Sequence, residues 1–263
     1  MEMDNWIWAS VWLAELGWAT RLWQLGLARN YPFLTTYLVF SALHSIASFL
    51  ALHAWGLNSH AFGWLWMTTQ PVLWTLLFCV VMEGYNRMLS PYEGLRRLGE
   101  LGTYGALGAV SVVILGMIIL DPVGDGTPSV GLRFWMHQQR SVFLALAVVS
   151  ALLAFVGAYC RLTLPRNVLV LFSVFGLIFV TQAVLATFRN HLGPAFGEMK
   201  NLLSASFYIA FVLVGTFGFS LAGEKCPEGA EEGWSADAAT ATARVVTRRL
   251  QDVNELLLRV LRS

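Results

Sequence analysis

The chain has 263 residues, of which 57% are hydrophobic and only 13% are charged, and its formal net charge is +1. Soluble domains carry about 25% charged residues, so this composition excludes an ordinary soluble fold and favours a protein that uses a lipid bilayer as its solvent. The small net charge excludes the basic surface of a nucleic-acid-binding protein, and the 3 cysteines form neither a disulfide framework nor a zinc motif.

Seven apolar stretches are long enough to cross a bilayer. About 20 residues, each rising about 1.5 Å in an α-helix, span a hydrocarbon core of about 30 Å. Each stretch should be helical, because a helix satisfies its own backbone hydrogen bonds in lipid. The predicted fold class is therefore all-α, an integral membrane bundle of seven transmembrane helices. The predicted spans are residues 6–27, 34–55, 63–83, 102–120, 141–160, 167–188 and 202–222.

The first two spans contain candidate functional residues. Glu15 lies inside the first span, where a carboxylate is costly, so it should face the bundle or be protonated. His44 lies in the middle of the second span and is a candidate partner for Glu15. A lone intramembrane histidine is more often a satisfied packing residue, and that interpretation stays open for His44.

The third span ends in a polar group that leads into the most distinctive loop. Glu83 and Arg87 are four residues apart, so they share a helix face and could pair; alternatively, they anchor the helix end among lipid headgroups. In the segment 90–99, Pro91 and Gly94 shape a turn, and the basic residues Arg96 and Arg97 are expected to face anionic lipid.

Arg140 is expected to open the fifth span, after Gln138 and Gln139. It could bind an anionic headgroup or a ligand carboxylate, or it could simply anchor the helix at the membrane interface.

The tail differs in composition, which gives two predicted domains: a seven-helix transmembrane domain, 1–223, and a cytoplasmic tail, 224–263. From 246 to 260, apolar residues recur at steps of four and three, which predicts an amphipathic helix. This helix is too polar to span the bilayer, so it should lie on the inner membrane surface or pair with a partner helix.

The distribution of lysine and arginine orients the bundle. With the amino terminus outside, the inner loops hold 8 basic residues and the outer loops hold 4. The prediction is an amino terminus outside and a carboxyl terminus in the cytoplasm. The inner residues are Arg21, Arg29, Arg87, Arg96, Arg97, Arg161, Arg166 and Lys225.

The stretch from Glu83 through PYEGLRRLG, residues 91–99, resembles a family of bacterial seven-helix membrane proteins. Members of that family also have an Arg-Ser-Val start to the fifth helix, here Arg140 to Val142, and a short amphipathic helix at the end. The chain departs from the pattern at Gln139, where the family is expected to have an acid. The resemblance implies the fold and a bacterial cytoplasmic (inner) membrane location, but no activity.

No catalytic, phosphate-binding, metal-binding or cofactor-binding motif stands out, so the sequence predicts neither a cofactor nor a metal, and favours a protein that is not an enzyme. The leading hypothesis is a sensory or regulatory membrane module. The alternatives are a structural subunit or scaffold of a membrane complex and a small transporter, the latter weakened by the lack of an internal repeat. The sequence leaves the oligomeric state open.

Overall fold

The computed structural model describes residues 2–56, 59–89, 130–159, 164–192 and 195–224, and every regular element among them is helical. The helices are α1 (Glu2–Gln24), α2 (Pro32–Trp55), α3 (His60–Leu89), α4 (Val130–Tyr159), α5 (Arg166–Leu192) and α6 (Ala195–Gly218). Short 3-10 turns, Leu27–Arg29 and Ala222–Glu224, follow α1 and α6.

Four of these helices have a stretch long and apolar enough to cross a membrane: Pro32–Trp55, His60–Met88, Arg166–Phe188 and Met199–Gly218. An all-helical fold is thus confirmed for the described residues, and it fits a helical membrane bundle. In α4 the apolar part is shorter, Ser141–Phe155. The predicted fourth span, 102–120, lies outside the described residues.

Helices that follow one another in the described part of the chain pack side by side. α1 lies between α2 and α6, α2 packs on α3, and α5 contacts α3, α4 and α6. The core is aromatic where α1, α2, α5 and α6 meet, with Trp18 against Phe175 and Phe219, and Tyr37 against Phe175. Large apolar side chains also cover the outside, including a stripe on α4 formed by Leu144, Val148, Leu152 and Phe155.

α3 and α4 run in the same direction. The start of α5 packs against the end of α3, where Tyr85, Met88 and Val168 form one cluster. Leu153, from the later half of α4, packs on that cluster, whereas Phe143, near the predicted start of the span, lies 6.2 Å from Phe179 further along α5. Both α3 and α4 are therefore antiparallel to α5, and parallel to each other.

Several predicted helix ends were wrong. α3 continues to Leu89, α4 begins at Val130 rather than 141, and α6 begins at Ala195 rather than 202. As a result, Arg140 lies inside α4 and does not open it. The physical reason is that hydropathy marks only the apolar part of a helix, whereas a more polar stretch that contains no proline can continue the same backbone hydrogen bonds beyond it.

Candidate functional sites within the bundle and at one end

Glu15 lies in the middle of α1 and is 1% exposed. Its Oε1 accepts hydrogen bonds from the Ser41 hydroxyl on α2, at 2.7 Å, and from the Tyr208 hydroxyl on α6, at 2.5 Å. Its Oε2 is buried and has no hydrogen-bond partner. The carboxyl group therefore joins three helices through one oxygen only.

Tyr37 extends this cluster. Its hydroxyl lies 3.2 Å from the Tyr208 hydroxyl. Because Tyr208 donates its proton to Glu15, its oxygen is left to accept from Tyr37, so the chain of donors runs from Tyr37 through Tyr208 to Glu15. We call Glu15, Ser41, Tyr37 and Tyr208 the Glu15 site.

His44 belongs to a different cluster, between α2 and α3. Its Nδ1 lies 2.8 Å from Thr69 Oγ1, and its Nε2 lies 3.3 Å from Gln70 Nε2 and 3.5 Å from Ser48 Oγ. Thr69 donates its own proton to the Leu65 carbonyl, at 2.7 Å. Nδ1 is therefore the protonated nitrogen of a neutral ring, and Nε2 accepts from Gln70. The hydrogen bonds of His44 thus go to α3 and to its own helix, and not to Glu15.

Glu83 serves the start of α2. Pro32 occupies the first turn of that helix, and Tyr31 before it provides no side-chain cap. The first N–H groups of a helix lack partners within it. Here the Glu83 carboxylate provides the missing acceptors. Its Oε1 accepts from Phe33 N at 3.1 Å, and its Oε2 accepts from Leu34 N at 3.0 Å. Its negative charge also favours this end of the helix dipole.

Arg87 lies one turn beyond Glu83, near enough for its charge to act on that carboxylate. It donates to the Asn30 carbonyl and forms an ion pair with Glu224, which follows α6. Its guanidinium also lies 4.4 Å from the centre of the Tyr31 ring. Glu83 and Arg87 lie one turn apart near the end of α3, and each has partners elsewhere in the bundle.

The Glu224 carboxylate accepts hydrogen bonds from three other parts of the chain. Besides Arg87, Oε1 has Asn30 Nδ2 at 3.5 Å, and Oε2 accepts from Tyr31 at 3.0 Å and from Asn167 Nδ2 at 3.0 Å. Burial, and then the Glu224 charge, raise the pKa of Tyr31 above its usual range, so the phenol stays a donor. We call these five residues the Glu224 network, and the end of the bundle where they meet the Glu224 end.

Asn167, at the start of α5, also fixes the turn that carries Glu224. It donates to the Ser220 carbonyl at 2.8 Å and accepts from Ser220 N at 3.1 Å. A Cβ at Gly223 would lie 2.4 Å from Asn167 Oδ1, so only glycine permits this close approach. The turn after α6 is therefore held to α5 before the chain reaches the tail.

The remaining predicted site residues have side chains outside the described part of the structure. Arg140 lies in α4, but its side chain is outside the described part of the structure, and so are Arg96, Arg97 and the tail helix. Within the described ranges, no group of three or more His, Cys, Asp or Glu side chains could hold a metal ion.

Sequence reasoning missed most of the partners in both sites. It singled out Glu15, Glu83 and Arg87 as polar residues in apolar surroundings, but not Tyr208, Asn167 or Glu224. Tyr208 and Asn167 are uncharged and therefore do not stand out as costly in an apolar helix, and only the packing brings position 167 to position 224.

No protein-family model, curated protein or solved structure gives a match to this chain.

Proposed function

We propose that this protein is a non-enzymatic regulatory module of the membrane, in which the helical bundle controls the C-terminal tail. The observation that carries the proposal is the Glu224 network. Glu224 is the first residue of the predicted tail, and its carboxylate is bonded to α3, to α5 and to the connection between α1 and α2.

A change in the bundle would reach the tail through these bonds. Arg87 lies on α3 and Asn167 on α5, so a shift of either helix relative to α6 would break a charge-assisted or amide hydrogen bond to Glu224. Such bonds are each worth about 1–3 kcal/mol, enough to bias two arrangements of a short segment. A signal that shifts the helices of the bundle would thereby change the arrangement of the tail.

Chain direction supports a seventh span. Residues 90–129 join the parallel helices α3 and α4, and a span within them would link the end of α3 to the start of α4. We propose that the apolar run 102–120 makes this crossing as a transmembrane helix. The bundle would then have the seven helices of the bacterial family that the loop at 91–99 resembles.

We propose the orientation predicted from the basic residues, in a bacterial inner membrane. Asn30, Arg87, Asn167 and Glu224 meet at one end, as the predicted alternation of spans requires for the cytoplasmic side. Exposed tryptophans lie at both ends of the bundle, with Trp23 at the Glu224 end and Trp6, Trp55 and Trp64 at the opposite end, and tryptophan favours the two interfaces between lipid and water. The tail would then enter the cytoplasm, where the inner membrane surface or a partner helix would receive it.

The test uses a deletion strain of the native host, complemented with full-length or altered chains. We expect deletion of the gene to change the abundance profile of the host's proteins. A chain that ends at Glu224 should still insert in the membrane, but the strain that carries it should show the same changed profile. Glu224→Gln and Arg87→Gln should give the same direction of change, because each breaks the ion pair.

The matched control is Arg29→Gln, which removes an exposed positive charge at the same end. It should behave like the wild type. The proposal fails if deletion leaves the profile unchanged, or if the truncated chain restores the wild-type profile.

A small transporter is the second candidate, because the buried Glu15 resembles the midplane acids that mark ion pathways. A transporter would keep its activity without the tail and lose it in Glu15→Gln. A structural subunit would instead need the tail or the bundle surface only for assembly, and its deletion would lower the abundance of one complex.

A further inference from the structure

We propose that the Glu15 site binds a proton, so that the folded bundle holds Glu15 as a neutral carboxylic acid. The inference goes beyond the regulatory role and does not depend on it. It assigns the proton as the ligand of a site built by three helices.

The first step is the environment of the carboxyl group. Glu15 is 1% exposed, and its hydrogen-bond partners are two hydroxyl groups. Among the residues that the structure describes, an ionised carboxylate here would have no counter-ion as a hydrogen-bond partner, and the effective cost of burying an unpaired charge is several kcal/mol. Protonation removes that cost.

The second step is the difference in hydrogen bonding between the two carboxyl oxygens of Glu15. Oε1 accepts twice, as the carbonyl oxygen of a carboxylic acid does, while Oε2 has no donor near it. A carboxylate would need donors on both oxygens. Glu83 shows that pattern in the same protein, because each of its oxygens accepts one backbone N–H. The geometry therefore places the proton of Glu15 on Oε2.

The third step is the set of charged and titratable groups nearby. Tyr37 of α2 and Tyr208 of α6 belong to the site and are neutral donors. Arg21 lies six residues further along α1, about 9 Å at 1.5 Å per residue. His44 turns its ring to Thr69 and Gln70 of α3, and the buried Lys200 lies two turns before Tyr208 on α6. No cation is a hydrogen-bond partner of Glu15 within the described part of the chain.

Proton release has a defined consequence. The proton passes from Oε2 to water, and the carboxylate left behind has donors on one oxygen only. The contact among α1, α2 and α6 is then destabilised until a donor or a cation reaches Oε2. The site thus couples proton occupancy to the packing of these three helices.

The test is infrared spectroscopy of the full-length protein at neutral pH, in a detergent that has no carbonyl group. A protonated carboxylic acid shows a carbonyl stretching band at higher frequency than a carboxylate. We expect this band in the wild type, its loss in Glu15→Gln and its persistence in Glu83→Gln. In Tyr208→Phe the band should shift to higher frequency, because the carbonyl loses one of its two hydrogen bonds.

The proposal is overturned if the wild type has no such band, if Glu15→Gln keeps it, or if Tyr208→Phe leaves its frequency unchanged. Should these variants fail to fold, a second measurement on the wild type tests the proposal. Carbon NMR of protein labelled at the glutamate carboxyl would show Glu15 with the shift of an acid at neutral pH, or, against the proposal, with the shift of a carboxylate.

Discussion

At the scale of single residues, Trp18 and Gly215 make a close contact between helices. Trp18 is fully buried on α1, and a Cβ added at Gly215 of α6 would lie 2.4 Å from its indole ring. Small residues let membrane helices approach closely, and association there depends on van der Waals packing. Gly215 therefore provides the space that a large aromatic side chain fills.

Replacing Gly215 with alanine should lower the thermal stability of the protein in detergent. Overpacking of this kind costs about 1–3 kcal/mol, since the indole ring is held between Phe175 and Phe219 and has no free direction to move. Gly176→Ala on α5 is the control, because nothing lies within 4 Å of its Cβ position. An equal melting temperature for the two variants would contradict the packing argument.

At the scale of helices, α2 is held to α3 by polar groups at two levels. Near its start, Glu83 of α3 binds the free N–H groups of its first turn, and in the middle His44 bonds to Thr69 of α3. A buried N–H without a partner costs free energy, so each bond fixes the position of α2 against α3. The pair should therefore move as a unit.

Thr69→Val should loosen this pair, because valine has the shape of threonine but leaves the His44 Nδ1–H without an acceptor. We expect a loss of about 1–3 kcal/mol and a change in the nitrogen NMR shifts that report the histidine tautomer. Thr68→Val is matched in sequence and chemistry, but the Thr68 hydroxyl is exposed and bonds only to carbonyls of its own helix. If Thr68→Val has the same effect, the bond to His44 contributes nothing specific.

At the scale of the whole molecule, the parallel direction of α3 and α4 is the basis of the proposed seventh span. Consecutive helices joined by a short loop are antiparallel, and a further span between two helices would make them parallel. Residues 90–129 are long enough for one apolar crossing and a loop on each side.

Cysteine labelling from the two sides of the membrane tests this path in a chain whose three native cysteines are replaced. Single cysteines introduced by Arg29→Cys and Gly94→Cys should react with the labelling reagent only from the cytoplasmic side. Those at Ser59→Cys and Gly126→Cys should react only from the outside. Labelling of positions 94 and 126 from the same side would rule out the crossing, whatever the orientation of the other helices.

The sequence by itself determined the helical class and the polar residues at issue. Hydropathy located the apolar parts of the described helices, because burial of the backbone in lipid leaves few alternatives to a helix. Glu15, His44, Glu83 and Arg87 were recognisable as expensive polar groups among apolar neighbours. Helix ends such as Val130 were missed, since a polar turn can continue a helix without any apolar signal.

Only the tertiary structure decided which of those polar groups meet. Glu15 and His44 lie on adjacent helices, yet one turns to Tyr208 and the other to Thr69, since helix rotation and crossing are set by close packing such as that of Trp18 on Gly215. Glu224 lies at the edge of the tail in the sequence, but Arg87, Tyr31 and Asn167 come from positions up to 193 residues away. Contacts over that distance depend on the fold as a whole, and no local pattern in the sequence encodes them.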